Sequence, residues 1–236
     1  MAKKTASAVM NRAERTGGTI FFLIYFCVLP FFGGKILDLA AKLLDVTISE
    51  TMQNAIYYYL LFAVTLLLFH SYLAEMTRRF FENMNRTLLT VLLGLLAFYG
   101  ANEMLYRVSR VLFEGTTNLN DQAIAAQISA APRMTALVVI ALAPFVEEVL
   151  FRGLVFGCVR EKSRVVAYLF SCALFAFLHV WTFAFSAGDL HYFVLMLQYL
   201  VPGFLFAWCY DRSGTLWASV LLHAAVNALS LLPALL

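Results

Sequence analysis

The sequence predicts an all-α, polytopic membrane helix bundle of about seven transmembrane helices, with room for an eighth. Three observations lead there. Hydrophobic residues make up 62% of the chain and charged residues 13%, and the mean hydropathy is +0.81. Soluble domains hold about 45–50% apolar and about 25% charged residues, so too few polar residues remain here to cover a water-facing surface. Apolar runs of the roughly 20 residues needed to cross about 30 Å of hydrocarbon recur along the chain. Lysine and arginine fall in the connections between those runs, in alternation.

The predicted spans cover residues 19–39, 55–73, 88–106, 135–157, 165–185, 192–210 and 216–235. Each must be helical, because a segment in lipid has to satisfy its own backbone hydrogen bonds. In the first, Gly33, Gly34, Lys35 and Lys42 suggest a break, followed by an amphipathic piece lying along the interface. The stretch 105–134 mixes apolar residues with TTNLNDQ and suits a surface helix or a re-entrant segment. The N-terminal sequence is polar for too long before the first apolar run to act as a cleavable signal peptide. There is no internal repeat. The expected organisation is accessory membrane helices over 1–133 and a chemistry-bearing membrane core over 134–236, within one structural domain.

Orientation follows from the connections, since cytoplasmic loops carry the excess of Lys and Arg. Lys3, Lys4, Arg12, Arg15, Arg78, Arg79, Arg86, Arg160, Lys162, Arg164 and Arg212 fall on one side of a seven-span arrangement. Lys35, Lys42, Arg107, Arg110 and Arg133 fall on the other. Eleven against five places the N-terminus in the cytoplasm and the C-terminus outside. The net charge of +3 is small and scattered, which suits topology signals and not nucleic-acid binding. The expected partners are the lipid bilayer and a membrane-associated peptide or protein; the oligomeric state is not legible. Cys27, Cys158, Cys172 and Cys209 show no CxxC spacing and read as small buried hydrophobes.

The informative segment is APFVEEVLFRG, 143–153, within the fourth span. A charge at the bilayer centre costs at least about 2.5–3.5 kcal/mol on insertion scales, so Glu147, Glu148 and Arg152 point to function. Glu148 and Arg152 are spaced i, i+4 with the acid first, the geometry of an ion pair on one helical face. Glu147 lies about 100° round the helix and is free to face another partner. Two adjacent carboxylates in a low dielectric do not both stay ionised unaided. Arg152 holds one charged and leaves the other available as a general base near neutral pH. The plainer alternative is a salt-bridged pair that fixes helix packing. Pro144 removes one backbone donor, which frees the carbonyl of Ile140 and kinks the span before the acids.

FAFLHV places Phe175 and His179 in the fifth span, and HAAVN places His223 and Asn227 one turn apart in the seventh. A lone membrane histidine more often bonds helix to helix, but three polar elements in three spans converge. At 1.5 Å rise per residue from the inner ends, Glu147 lies at roughly 16 Å, His179 at roughly 21 Å, His223 at roughly 12 Å and Asn227 at roughly 18 Å. All four therefore fall at mid-bilayer. A carboxylate and an imidazole can bind and deprotonate a water. A second histidine and an amide can donate to a developing oxyanion. That set suits peptide-bond hydrolysis with water as nucleophile and no cofactor. Ser171, Ser186 and Ser219 also lie in or near spans, and Ser219 precedes His223 by one turn, so a serine nucleophile stays open. Two histidines and a glutamate could instead ligate zinc, although HExxH is absent. A transporter would also place acids and histidines at mid-membrane, but no paired half-repeats of broken helices appear.

EEVLFR fits EExxxR, FAFLH fits FxxxH and HAAVN fits HxxxN, and their order and spacing resemble the CAAX protease and bacteriocin-processing family, also called CPBP or Abi. The resemblance covers about 134–232. It implies an intramembrane endopeptidase with its site near the cytosolic half, acting on CAAX-type prenyl proteins or on bacteriocin or leader peptides. It implies that Glu147 and His179 activate water, that His223 and Asn227 serve the oxyanion, and that Glu148 and Arg152 support the first glutamate. Its alternative is a non-catalytic membrane binding protein, such as a bacteriocin-immunity or regulatory factor. The first three spans carry no motif, so substrate class is not inherited.

Overall fold

A computed structural model describes residues 10–112 and 118–235. Lys3 and Lys4, counted among the positive N-terminal residues, and residues 113–117 of the mixed stretch lie outside the described residues, as do the side chains of Arg107 and Arg110. The described chain is helical, without strands. In chain order the helices are α1 (Arg12–Leu43), α2 (Glu50–Leu68), α3 (His70–Glu82), α4 (Met84–Leu112), α5 (Leu119–Ala130), α6 (Pro132–Arg160), α7 (Arg164–Ala187), α8 (Met196–Ser213) and α9 (Leu216–Leu235).

Six of these are long and apolar enough to cross a membrane, and α9 adds a shorter apolar helix. Large apolar side chains such as Phe32, Leu39, Leu67, Leu96 and Leu169 are exposed around the bundle, as expected where lipid is the solvent. The chain is an integral membrane protein.

The first span does not break at its glycines. α1 runs without interruption to Leu43, and Gly33 packs against α2: a Cβ there would stand 2.9 Å from the Tyr57 ring. The helix is irregular earlier, over a π-helical turn at Ile24–Val28. Pro30 follows two residues later. A proline ring presses on the carbonyl four residues back, and widening the preceding turn relieves the clash. The same pairing recurs in α6, where a π turn at Val138–Leu142 precedes Pro144.

The second span ends at Leu68, short of the expected 73. Phe69 leaves helical geometry, and α3 starts as a separate amphipathic helix. The carboxylate of Glu14 accepts the Tyr72 backbone N–H of its first turn at 2.8 Å. Glu14 also closes a capping box with Asn11 at the start of α1, so one buried acid ties two helix N-termini together. Further along α3, hydrogen bonds from Arg78 and then Arg79 lower the Glu75 carboxyl to about 2.

The mixed stretch 105–134 contains the tail of α4 and then α5, a helix outside the six candidate spans that packs on α7, α9 and the start of α6. All four cysteines are free. Cys172 and Cys209 are buried as expected, Cys158 is half-buried, and Cys27 is exposed on α1, against expectation.

α6 is the most enclosed span. From Phe145 to Leu154 every residue is buried. Its second π segment, Val149–Phe156, displaces carbonyls from the regular ladder, and Ser171 of α7 donates to the Phe151 carbonyl at 3.1 Å.

Candidate active site

α6 delivers Glu147, Glu148 and Arg152, α7 delivers His179, and α9 delivers Ser219, His223 and Asn227. The structure brings all six predicted residues to one region at the middle of the bundle. The three motifs meet in space.

Glu148 and Arg152 form the expected i, i+4 pair, with Nη1 2.9 Å from Oε1 and both side chains fully enclosed. A buried pair needs further hydrogen bonds to offset the desolvation of its charges. The guanidinium also donates to the Gly203 carbonyl at 3.0 Å and lies over the Phe175 and Phe206 rings, at 4.4 Å and 5.2 Å from their centroids. The carboxylate accepts from the Ser219 hydroxyl and, at 2.8 Å, from His223 Nδ1. This Glu148–His223 contact joins two helices and could not be read from spacing along the chain. Since the carboxylate accepts, Nδ1 carries the proton, and Nε2 is left facing Glu147.

His179 follows the same logic with a different partner. Its Nδ1 donates to the Phe175 carbonyl one turn back, at 2.8 Å, so Nε2 is again the free nitrogen. The ring stacks on Tyr199 at 4.5 Å between centroids, and His223 stacks on Phe206 at 4.4 Å. Both imidazoles are held by one hydrogen bond and one aromatic face.

Glu147 is where these aims converge. Its Oε2 stands 3.9 Å from His179 Nε2 and 4.0 Å from His223 Nε2. Neither distance is a hydrogen bond, and Oε2 has no hydrogen-bond partner among the described residues. Separations of this length are the ones that a bridging water spans.

Asn227 resolves the question of Pro144. In the π register of Val138–Leu142, the Ala143 N–H donates to Val138 and not to Val139. The next donor in that register would be residue 144, which has none. The orphaned carbonyl is therefore Val139, one residue before the expected Ile140. Asn227 Nδ2 donates to it at 2.7 Å. One amide proton is thus committed to α6, and the second is free for the cavity that Asn227 lines.

The serines are accounted for. Ser219 and Ser171 are fully buried and donate to Glu148 and the Phe151 carbonyl, and Ser186 is exposed near the end of α7. Among the described residues, no three His, Cys, Asp or Glu side chains gather in a way that could hold a metal ion.

Glu147, His179, His223 and Asn227 line a cavity of about 980 Å³. Tyr72 of α3 donates its hydroxyl to Tyr210 of α8 at 3.1 Å, and these two rings, with Phe151 and Phe156 of α6, are buried.

Comparison with known proteins agrees with the motifs. Residues 129–229 match the family described as type II CAAX prenyl endopeptidase Rce1-like. A Bacillus subtilis (strain 168) protein named "Putative membrane peptidase YdiL" is 32% identical over 114 residues, 48% of this chain and 42% of that protein. The UPF0177 protein YxdF of Lactococcus lactis subsp. lactis (strain IL1403) is 34% identical over 86 residues, 36% of this chain and 42% of that protein. The chain thus aligns with less than half the length of these curated relatives. No solved structure matches it significantly. Over residues 129–229, which contain all six predicted site residues, this membrane protein matches the Rce1-like type II CAAX prenyl endopeptidases, the family its three motifs resemble.

Proposed function

We propose that this protein is an intramembrane endopeptidase that hydrolyses a peptide bond of a membrane-associated protein or peptide with water activated by Glu147, without a metal. The observation that carries the reading is the convergence of two oriented histidine Nε2 atoms on Glu147 Oε2. The backbone carbonyl of Phe175 and the carboxylate of Glu148 fix which nitrogen of each ring is turned inward.

Glu147 and His179 hold the attacking water, and Glu147 takes its proton as the oxygen adds to the scissile carbonyl. His223 serves the oxyanion. With Nδ1–H fixed on Glu148, a ring that takes a proton from solvent before substrate binds carries it on Nε2, donates it as a hydrogen bond toward the developing charge, and keeps it through the cycle. The second amide proton of Asn227 supplies another donor. Collapse of the tetrahedral intermediate returns the proton from Glu147 to the leaving amine. Glu148 and Arg152 are positioning residues: they orient His223 and keep its charge compensated in a dry site.

The test is turnover of a panel of membrane-presented peptides by purified protein, beside Glu147→Gln. The variant keeps the side-chain volume and removes the base, so cleavage disappears while melting in detergent is unchanged. A variant that retains more than about a tenth of the rate, a barrier change below about 1.4 kcal/mol, removes Glu147 from the role. Binding without turnover by the unmodified protein would favour the non-catalytic reading.

A further inference from the structure

We infer that Tyr199 and Asn118 are positioning residues for His179. Tyr199 covers a face of the imidazole, and Asn118, the N-cap of α5, holds the Tyr199 ring in place. This rests on reading His179 as the partner of Glu147 in holding water. It adds two residues to that reading, neither of them in the three motifs, and Asn118 lies outside the matched residues 129–229.

The requirement comes from the imidazole itself. The χ2 torsion of histidine is broad and roughly two-fold, so the side chain does not choose its own ring plane. The hydrogen bond from Nδ1 to the Phe175 carbonyl, at 2.8 Å, fixes one atom of the ring. Turning χ2 breaks that bond and carries Nε2 off its line to Glu147 Oε2, which stands 3.9 Å away. Phe175 meets the imidazole at a tilt of 48°. Tyr199 lies at 25° to it, near parallel, with centroids 4.5 Å apart. The Tyr199 face is therefore what blocks the turn.

Tyr199 stands in the first turn of α8 and needs an anchor of its own, because its χ2 is equally broad. Asn118 supplies it. Its Nδ2 donates to the Tyr199 hydroxyl at 2.9 Å and to Gln198 Oε1 at 3.0 Å, and the hydroxyl donates back to Oδ1 at 3.2 Å. The same Oδ1 accepts the Asn120 backbone N–H at 3.0 Å and so caps α5. Asn118 and Tyr199 line the cavity together with His179. A helix outside the six candidate spans is thus pinned, through one amide, to the ring that lies on His179.

The test joins steady-state kinetics of the purified protein to nitrogen NMR of its isotope-labelled histidine rings. The His179 signal is assigned by its loss in His179→Gln, and its tautomer is read without turnover. Tyr199→Leu removes the face: kcat should fall about a hundredfold with KM within about twofold. His179 should become a mixture of tautomers while His223 keeps its proton on Nδ1. Tyr199→Phe keeps the face and loses only its anchor, so kcat should fall about fivefold and His179 keep one tautomer. Asn118→Ser keeps a competent N-cap but is too short to reach Tyr199. Combined with Tyr199→Phe, it should cost no more than it does alone. A Tyr199→Leu protein whose His179 stays in one tautomer, or whose kcat is unchanged, overturns the proposal, as do strictly additive losses from the two milder variants. If Tyr199→Leu does not fold, that coupling decides. The protease reading fails differently, by absence of turnover in the unmodified protein, and the tautomer measurement stands apart from it.

Discussion

His223 gives its Nδ1 to Glu148 at 2.8 Å and thereby turns its Nε2 toward Glu147. The two neighbouring glutamates thus address opposite edges of one imidazole. Glu148 is held by Arg152, Ser219 and His223, whereas Glu147 faces the cavity. Adjacent residues of the same type have separate roles because they lie about 100° apart on the helix.

Ser219 lies close enough to His223 in sequence to resemble a nucleophile, but its hydroxyl donates to Glu148. Ser219→Ala is therefore expected to keep kcat/KM within about tenfold, some 1.4 kcal/mol. Loss of a serine nucleophile would cost on the order of a millionfold. Single-turnover kinetics of the purified variant separate the two.

Removing the Arg152 guanidinium leaves Glu148 buried beside no cation. Arg152→Ala should destabilise the detergent-solubilised protein by about 3–5 kcal/mol and also lower activity. Arg152→Lys should rescue only partly, because the planar fork reaches Glu148 and the Gly203 carbonyl together. A stable, monodisperse Arg152→Ala protein with normal turnover would remove this residue from its supporting role.

Asn227 and Pro144 should be energetically coupled. Asn227→Ala leaves the half-buried Val139 carbonyl without its side-chain donor, at a cost of about 1 kcal/mol. Pro144→Ala restores a backbone N–H that can take over. In a double-mutant cycle on melting temperature, the second change should recover part of the loss from the first. Strict additivity would mean that the proline does not create the orphan. Activity should stay low in the double variant if the second amide proton of Asn227 also serves the oxyanion.

Activity should survive prolonged dialysis against strong chelators, and elemental analysis should find no stoichiometric zinc. Both histidines hold their outer Nδ1–H on an oxygen, His223 on Glu148 and His179 on the Phe175 carbonyl, as zinc-bound imidazoles also do. The expectation rests on charge: a nearby buried guanidinium disfavours a divalent cation. About one zinc per chain, with activity lost on its removal and regained on its return, would replace the glutamate mechanism with a metal one.

The spans and the meeting of the motifs were legible because hydropathy and i, i+4 spacing are local properties of the chain. Glu147, His179, His223 and Asn227 could be placed at one depth from helical rise alone. Helix rotation is a tertiary property, so the Glu148–His223 bond could not be read. The buried role of Glu14 was equally hidden, since its Tyr72 partner lies on another helix. The π turns defeated the expectation about Ile140: proline implies a freed carbonyl, but its identity depends on a register that only packing sets. The glycines of α1 looked like a break because Gly33 lacks a side chain, and its purpose is contact with Tyr57.

The Tyr72–Tyr210 pair bears on more than packing. A cavity of about 980 Å³ that carries titratable groups in among membrane-spanning helices is part of a conducting pathway. Completed, it would let protons run down the electrochemical gradient that the membrane exists to hold. Phe151, Phe156, Tyr72 and Tyr210 are all buried, and rings so enclosed leave no room for a chain of water. A site that admits water to one carboxylate inside a membrane must not become a leak, and buried aromatic packing of this kind meets that demand.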